Sequence, residues 1–165
     1  MIRAARKRIW LQQQYIEGDG GPAVPRLLDA AAQRQRTGVD VRIIVSSRFN
    51  EPWGATKETL HDAKLLDSLR AINLDNFTHC HNKGVIVDDS VVVSSTNWSE
   101  NSIRRAREAG ILIHSANVAG FFGQVFEDDW TTAWSVSTAD AQATAFEAVA
   151  VPGEEDLTID PADRV

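Results

Sequence analysis

The sequence predicts an α/β fold built on a mixed, largely parallel β-sheet flanked by helices. Three observations lead there. The β-branched run VDVRIIVSS (residues 39–47) follows a strand-like segment and a helix-patterned one through short connections, the β-α-β order of a parallel pair. The runs KGVIVDD and SVVVSST share an Asp-Asp-Ser turn, which predicts an antiparallel hairpin. A helical apolar spacing then closes the pattern over residues 117–130.

RIWLQQQYI (residues 8–16) alternates in part and carries β-branched and aromatic residues, so it reads as the first strand. GDGGP is a loop. AVPRLLDAAAQRQRTG follows as a helix, with Pro25 near its start, Leu27, Leu28, Ala31 and Ala32 on one face, and Gly38 just past its end. Residues 48–56 form a long polar loop. KETLHDAKLLDSLRA carries a second helical period through Leu60, Lys64, Leu65 and Leu69. EAGILIHS (residues 108–115) is a further strand. Asn117 is placed to cap the last helix, whose buried face is expected to hold Val118, Phe121, Phe122, Val125, Phe126 and Trp130.

Residues 1–134 form the expected domain, and residues 135–165 an acidic, mostly flexible tail or linker, in which 139–150 suit one more helix. The charge divides the same way. Residues 136–165 hold seven acids and one base, which accounts for the whole net charge of −6. The neutral body argues against a broad basic face for non-specific nucleic-acid binding and leaves local basic patches open. No apolar run approaches the roughly 20 residues that span a bilayer. The basic start MIRAARKRIW lacks the apolar stretch of a signal peptide, so the sequence names no compartment. Cys80 is the one cysteine, so no internal disulfide forms, and no Cys/His zinc spacing is present.

The chemistry gathers at the hairpin. His81 and Lys83 stand two apart, which on an extended chain turns both to one side. The hairpin returns Ser95 and Asn97 to the same end, and Glu108 opens the next strand near it. An imidazole, an ammonium, an amide donor and a carboxylate together suit a phosphate: cation and amide take its oxygens, and the carboxylate orients the ring. Each residue alone has a plainer reading as a strand-end histidine, a solvated lysine or turn chemistry.

Taken in order, these residues resemble the phospholipase D superfamily. His81, Lys83 and Asp88 match its H-x-K-x(4)-D motif, Ser95-Thr96-Asn97 resembles the following G-S-x-N, and Glu108 falls at its downstream Glu. The resemblance covers roughly residues 5–134 and implies that family's α/β/α sandwich and phosphodiester chemistry. It implies His81 as the nucleophile that forms a phosphohistidine, Lys83 and Asn97 as holders of phosphate oxygens, and Ser95 as support for that pocket. Glu108 fixes the His81 ring, and Asp88 is structural. No metal or other cofactor is implied. Ser94 departs from the family's Gly, which is tolerated only where that backbone is extended. Arg107 stands where many members have Asn.

The family's site needs two such motifs, one histidine attacking and the other protonating the leaving group. This sequence has one, because His61, His79 and His114 lack the lysine partner. The expectation is therefore the C-terminal half of a two-motif protein, or a homodimer subunit that meets its twin across a two-fold axis. The resemblance implies phospholipids or nucleic acids as substrates, with a membrane surface as the further contact for a lipid. Trp98 and Ile103 are candidates for acyl contact or for core, Arg104, Arg105 and Arg107 for headgroup or nucleic-acid backbone, and Arg48, Trp53 and Lys57 for a cleft lining. Three readings stand: a phospholipase D-type hydrolase or phosphatidyltransferase, a nuclease of the same fold, and a non-catalytic binding or dimerisation domain.

Overall fold

The structure, a computed structural model, describes residues 1–46, 53–77 and 80–149, with side chains to residue 142. Among these residues six strands form one sheet: β1 (Arg8–Gln13), β2 (Asp40–Val45), β3 (Leu69–Ala71), β4 (Gly84–Val87), β5 (Ser90–Ser94) and β6 (Gly110–His114). Their order across the sheet is β3-β2-β1-β4-β5-β6. The β1–β2 and β2–β3 ladders are parallel, while β1–β4, β4–β5 and β5–β6 are antiparallel. The sheet is mixed as expected, but among the described residues its parallel share is confined to one side.

Helices cover both faces. Helix α1 (Ala23–Gln35) joins β1 to β2, and α2 (Trp53–Asp62) follows β2. The short α3 (Glu100–Arg104) lies between β5 and β6, and α4 (Ala116–Thr132) and α5 (Val136–Val149) follow β6. Strand alternation divides the core. Ile9, Leu11, Ile43 and Val85 face the cluster shared with Leu28, Trp53, Leu60 and Trp98. Ile44, Ile86 and Val91 face Cys80, Ala119 and Phe126 on the α4 side.

Several boundaries differ from expectation for local reasons. The region read as one helix over residues 57–71 divides in three. Helix α2 starts at Trp53 inside the expected loop, a 3-10 turn spans Leu66–Ser68, and Leu69–Ala71 pairs with β2. Lys64 breaks the helix with φ 61°. Its apolar spacing continued past the break because Leu69 and Ala71 are buried from a strand. Ser115, not Asn117, caps α4, its Oγ accepting from Val118 N at 3.4 Å.

The buried stripe of α4 also differs. Ala119, Gly123 and Phe126 are buried, whereas Phe121 and Val125 are 61% and 42% exposed. Small residues bring the helix close to the sheet. At Gly123 a Cβ would lie 2.7 Å from the Arg8 guanidinium, which itself donates to Ala119 O at 3.2 Å. Trp10, Phe126 and Trp130 stack beneath the helix, interleaved with Arg8, Arg42 and Arg70 over the ring faces.

The first turns of α5 pack on the body. Ala139 is buried, and Asp140 accepts from Lys57 Nζ at 2.5 Å and from Trp53 Nε1 at 2.8 Å. The tail expected from residue 135 thus opens with packed structure, and its stretch from 150 lies outside the described residues. Trp53 and Lys57, considered for a cleft, hold α5 instead. Arg48 and His79 lie outside the described residues.

Candidate active site

The β4–β5 hairpin brings one end of its polar bracket together. Lys83 enters β4, and Asn97 leaves the segment after β5, so both stand at the same end. Lys83 is 7% exposed, and its Nζ donates to Gln14 Oε1 at 3.1 Å and to His81 O at 2.9 Å. Asn97 Nδ2 donates to the same Gln14 Oε1 at 3.3 Å. An ammonium and an amide therefore converge on one oxygen position. His81 is exposed beside them. It also borders a mostly apolar groove of about 540 Å³ that runs along Trp10, Ile86 and Val91 to Phe121 and Val125. On the opposite face, Lys83, Ser94, Thr96 and Gly110 line a cleft of about 300 Å³.

Ser95 and Glu108 meet at the start of β6. Ser95 Oγ donates to the Glu108 carboxylate and accepts from Ala109 N at 3.0 Å. Among the described residues, Glu108 is thus engaged with Ser95 rather than with the His81 ring.

Asp88 lies at the far end of the hairpin. Its carboxylate accepts from the backbone N–H groups of Arg6, Lys7 and Arg8 at 2.9, 2.8 and 3.1 Å. Burial pushes its pKa up, but these amide bonds outweigh it and hold the group below the usual carboxylate value. The geometry is that of a backbone clamp.

Ser94, the departure from glycine, has no positive φ and continues β5. Its partner across the ladder is Gly110, where an added Cβ would lie 2.7 Å from Ser94 Cβ. The glycine opposite makes room for the serine.

Other candidates separate cleanly. Trp98 is buried core, and Ile103 packs against it. Arg104 is exposed and pairs with Glu100 at 3.4 Å, while Arg105 and Arg107 are exposed near Glu108. His61 lies at the end of α2, and His114 meets Ser90 at the far end of β5–β6, so neither joins the site. Cys80 adjoins His81 but is buried, which pushes its thiol up to about 11 and keeps it protonated near neutrality. Among the described residues, no group of three or more His, Cys, Asp or Glu could hold a metal ion. None of their helices is long and apolar enough to cross a membrane.

Gln14 is the site residue that the sequence reading missed. It follows β1 as the last of the run QQQ, and glutamines in a strand-like segment carry no spacing signal.

The family described as "Cardiolipin synthase, PLD-like domain" matches residues 1–130. The chain belongs to this phospholipase D-like family. Cardiolipin synthase 1 of Staphylococcus epidermidis is 26% identical over 132 residues, covering 78% of this chain and 26% of that protein. Cardiolipin synthase of Listeria monocytogenes is 25% identical over 130 residues, with the same two coverages, 78% and 26%. The chain therefore spans about a quarter of the length of these relatives.

Solved structures share the fold. The phospholipase D family member Nuc from Salmonella typhimurium superposes with TM-score 0.62 at 23% identity, covering 80% of this chain and 83% of that one. Phosphatidylserine synthase from Haemophilus influenzae gives TM-score 0.66 at 16% identity, covering 89% and 39%. Membership makes phosphodiester chemistry the plausible class of reaction for this domain.

Proposed function

We propose that this domain carries one half of a phosphodiester-processing site, in which His81 is the nucleophile. The observation that supports it most is that Lys83 Nζ and Asn97 Nδ2 are held side by side, both donating to Gln14 Oε1, next to His81. An ammonium and an amide set together in this way suit the non-bridging oxygens of a phosphate.

A His81 ring nitrogen attacks phosphorus and displaces the first alcohol. A histidine of the second motif protonates that leaving oxygen. Water or a second alcohol then attacks the phosphohistidine, gives up its proton to that same histidine, and frees His81. Lys83 and Asn97 hold the phosphate oxygens throughout, and Ser95 supports the pocket. Glu108 orients the His81 ring in the assembled site, releasing its Ser95 contact to do so. Asp88 keeps its structural role.

The second motif comes from another domain of the same kind, in a parent chain or in a second copy. Support lies in the coverage of about a quarter of the cardiolipin synthases and in exposed apolar residues on β6 and α4. Ile111 and Leu112 on β6 are 59% and 49% exposed, and Phe121 and Val125 on α4 are 61% and 42% exposed. A second domain covers such residues.

A lipid phosphodiester is the first reading, supported by the apolar groove beside His81. A nuclease is the second, supported by Arg105 and Arg107 exposed near Glu108. The test is turnover of phosphatidylcholine, a cardiolipin precursor and single-stranded DNA by wild type and His81→Asn, with solution mass measured alongside. Turnover of lipid that is lost in the variant is expected. Hydrolysis of DNA alone overturns the lipid reading, and turnover that survives His81→Asn overturns the mechanism.

A further inference from the structure

Three consecutive glutamines, Gln12 and Gln13 at the end of β1 and Gln14 just past it, each reach a different neighbour of the strand that lies between β2 and β4. Gln12 Nε2 donates to Asp129 on α4 at 2.8 Å. Gln13, 1% exposed, accepts from Trp98 N through its Oε1 at 3.1 Å, which fixes the backbone just after Asn97. Gln14 accepts from both Lys83 and Asn97, and its carbonyl accepts from Ser46 N at 3.0 Å, tying it to the end of β2.

We infer that Gln14 is a positioning residue that sets the two phosphate-holding donors, Lys83 and Asn97, before substrate arrives. This rests on the phosphodiester reading above and adds a residue that the family's motifs do not supply. A lysine ammonium can only donate, so the Gln14 atom facing it must be the amide oxygen. Asn97 must then turn its Nδ2 to that oxygen, since the opposite flip sets two acceptors face to face. The cost of this orientation is visible: Asn97 Oδ1 is buried without a hydrogen-bond partner among the described residues. Gln14 thus decides which way the Asn97 amide points.

The neutrality of Gln14 matters as much as its geometry. It aligns Lys83 without cancelling its charge, whereas a glutamate there would pair with the ammonium and compete with phosphate. The device is anchored at two points: the Gln14 carbonyl on Ser46 N at the end of β2, and the backbone after Asn97 on Gln13 Oε1.

The test is binding of tungstate, a phosphate mimic, to the full chain by calorimetry. Gln14→Leu should weaken binding about tenfold while the thermal midpoint stays near wild type. In a Lys83→Met background, or Asn97→Ala where that background fails to fold, Gln14→Leu should add much less than the tenfold seen in wild type. Gln14→Glu should weaken binding at neutral pH and recover as pH falls towards about 4, where its carboxylate protonates. A purely structural glutamine predicts no such recovery. Wild-type affinity in Gln14→Leu, or the full tenfold loss persisting in the lysine and asparagine backgrounds, overturns the inference and leaves the site reading intact. A wild-type chain that binds no tungstate overturns the phosphate site itself, and the inference with it.

Discussion

Asp88, in the hairpin turn, and Arg8, at the start of β1, hold each other from both sides. Arg8 N donates to Asp88 Oδ1 at 3.1 Å, Arg8 Nε to Asp88 O at 3.2 Å, and Asp88 N to Arg8 O at 3.2 Å. The motif aspartate thus locks the hairpin against the neighbouring strand, so that the opposite end is held where Lys83 and Asn97 meet.

Asp88→Asn should therefore cost stability more than chemistry. Asn tolerates the φ of 51° at this turn but offers one acceptor oxygen to three N–H donors. The expected loss is about 1 kcal/mol at neutral pH, measured by urea unfolding. The pKa of Asp88 is lowered in the folded state, so its ionised form stabilises the fold above the unfolded value of about 4 and loses that contribution as pH falls through the folded value. The gap between wild type and variant should close in acid. A gap that widens there contradicts the clamp.

Ser94 and Gly110 should behave as a coupled pair. Gly110→Ala places its Cβ within 2.7 Å of Ser94 Cβ and should cost about 1–3 kcal/mol through overpacking. Ser94→Gly in that background removes the contact and should recover most of the loss. Additive destabilisation in the double variant would show that the two positions do not share the space.

Ile86→Asp and His81→Asn should separate core from site. Ile86 is 5% exposed on the α4 side, so a carboxylate there meets no water and the domain should fail to fold. His81 is exposed, and His81→Asn should keep its thermal midpoint within a few degrees. Circular dichroism melts distinguish the two, and loss of the fold in His81→Asn would weaken the site reading.

Asp140→Ala should loosen α5. It removes the acceptor of Trp53 Nε1 and Lys57 Nζ, and the expected cost is about 1 kcal/mol. Asp140→Asn should lose less, because an amide oxygen still accepts from the indole. Equal losses in urea melts would mean that the ion pair, which is partly exposed, carries the contact.

The parts of this molecule that were legible in sequence are those with a repeated physical signal. β-branched runs marked β2, β4 and β5, because buried strands need them on consecutive positions. The Asp-Asp turn placed the hairpin, and the hairpin placed Lys83 and Asn97 at one end. What escaped had a weak or a double signal. Leu69 and Ala71 continued a helical spacing although they pair in a strand. Phe121 and Val125 shared the helical face of Phe122 and Phe126, yet close packing over Gly123 rotates them outward. Gln14 carried no signal, because its role exists only when β1 lies beside both Lys83 and Asn97.

The central claim is the covalent role of His81, and trapping the intermediate tests it most directly. Wild-type protein quenched during turnover of a phosphorus-radiolabelled phosphodiester should retain acid-labile, base-stable label on His81, and His81→Asn should retain none. Label that persists in His81→Asn, or turnover by wild type with no trapped phosphohistidine, would contradict the account.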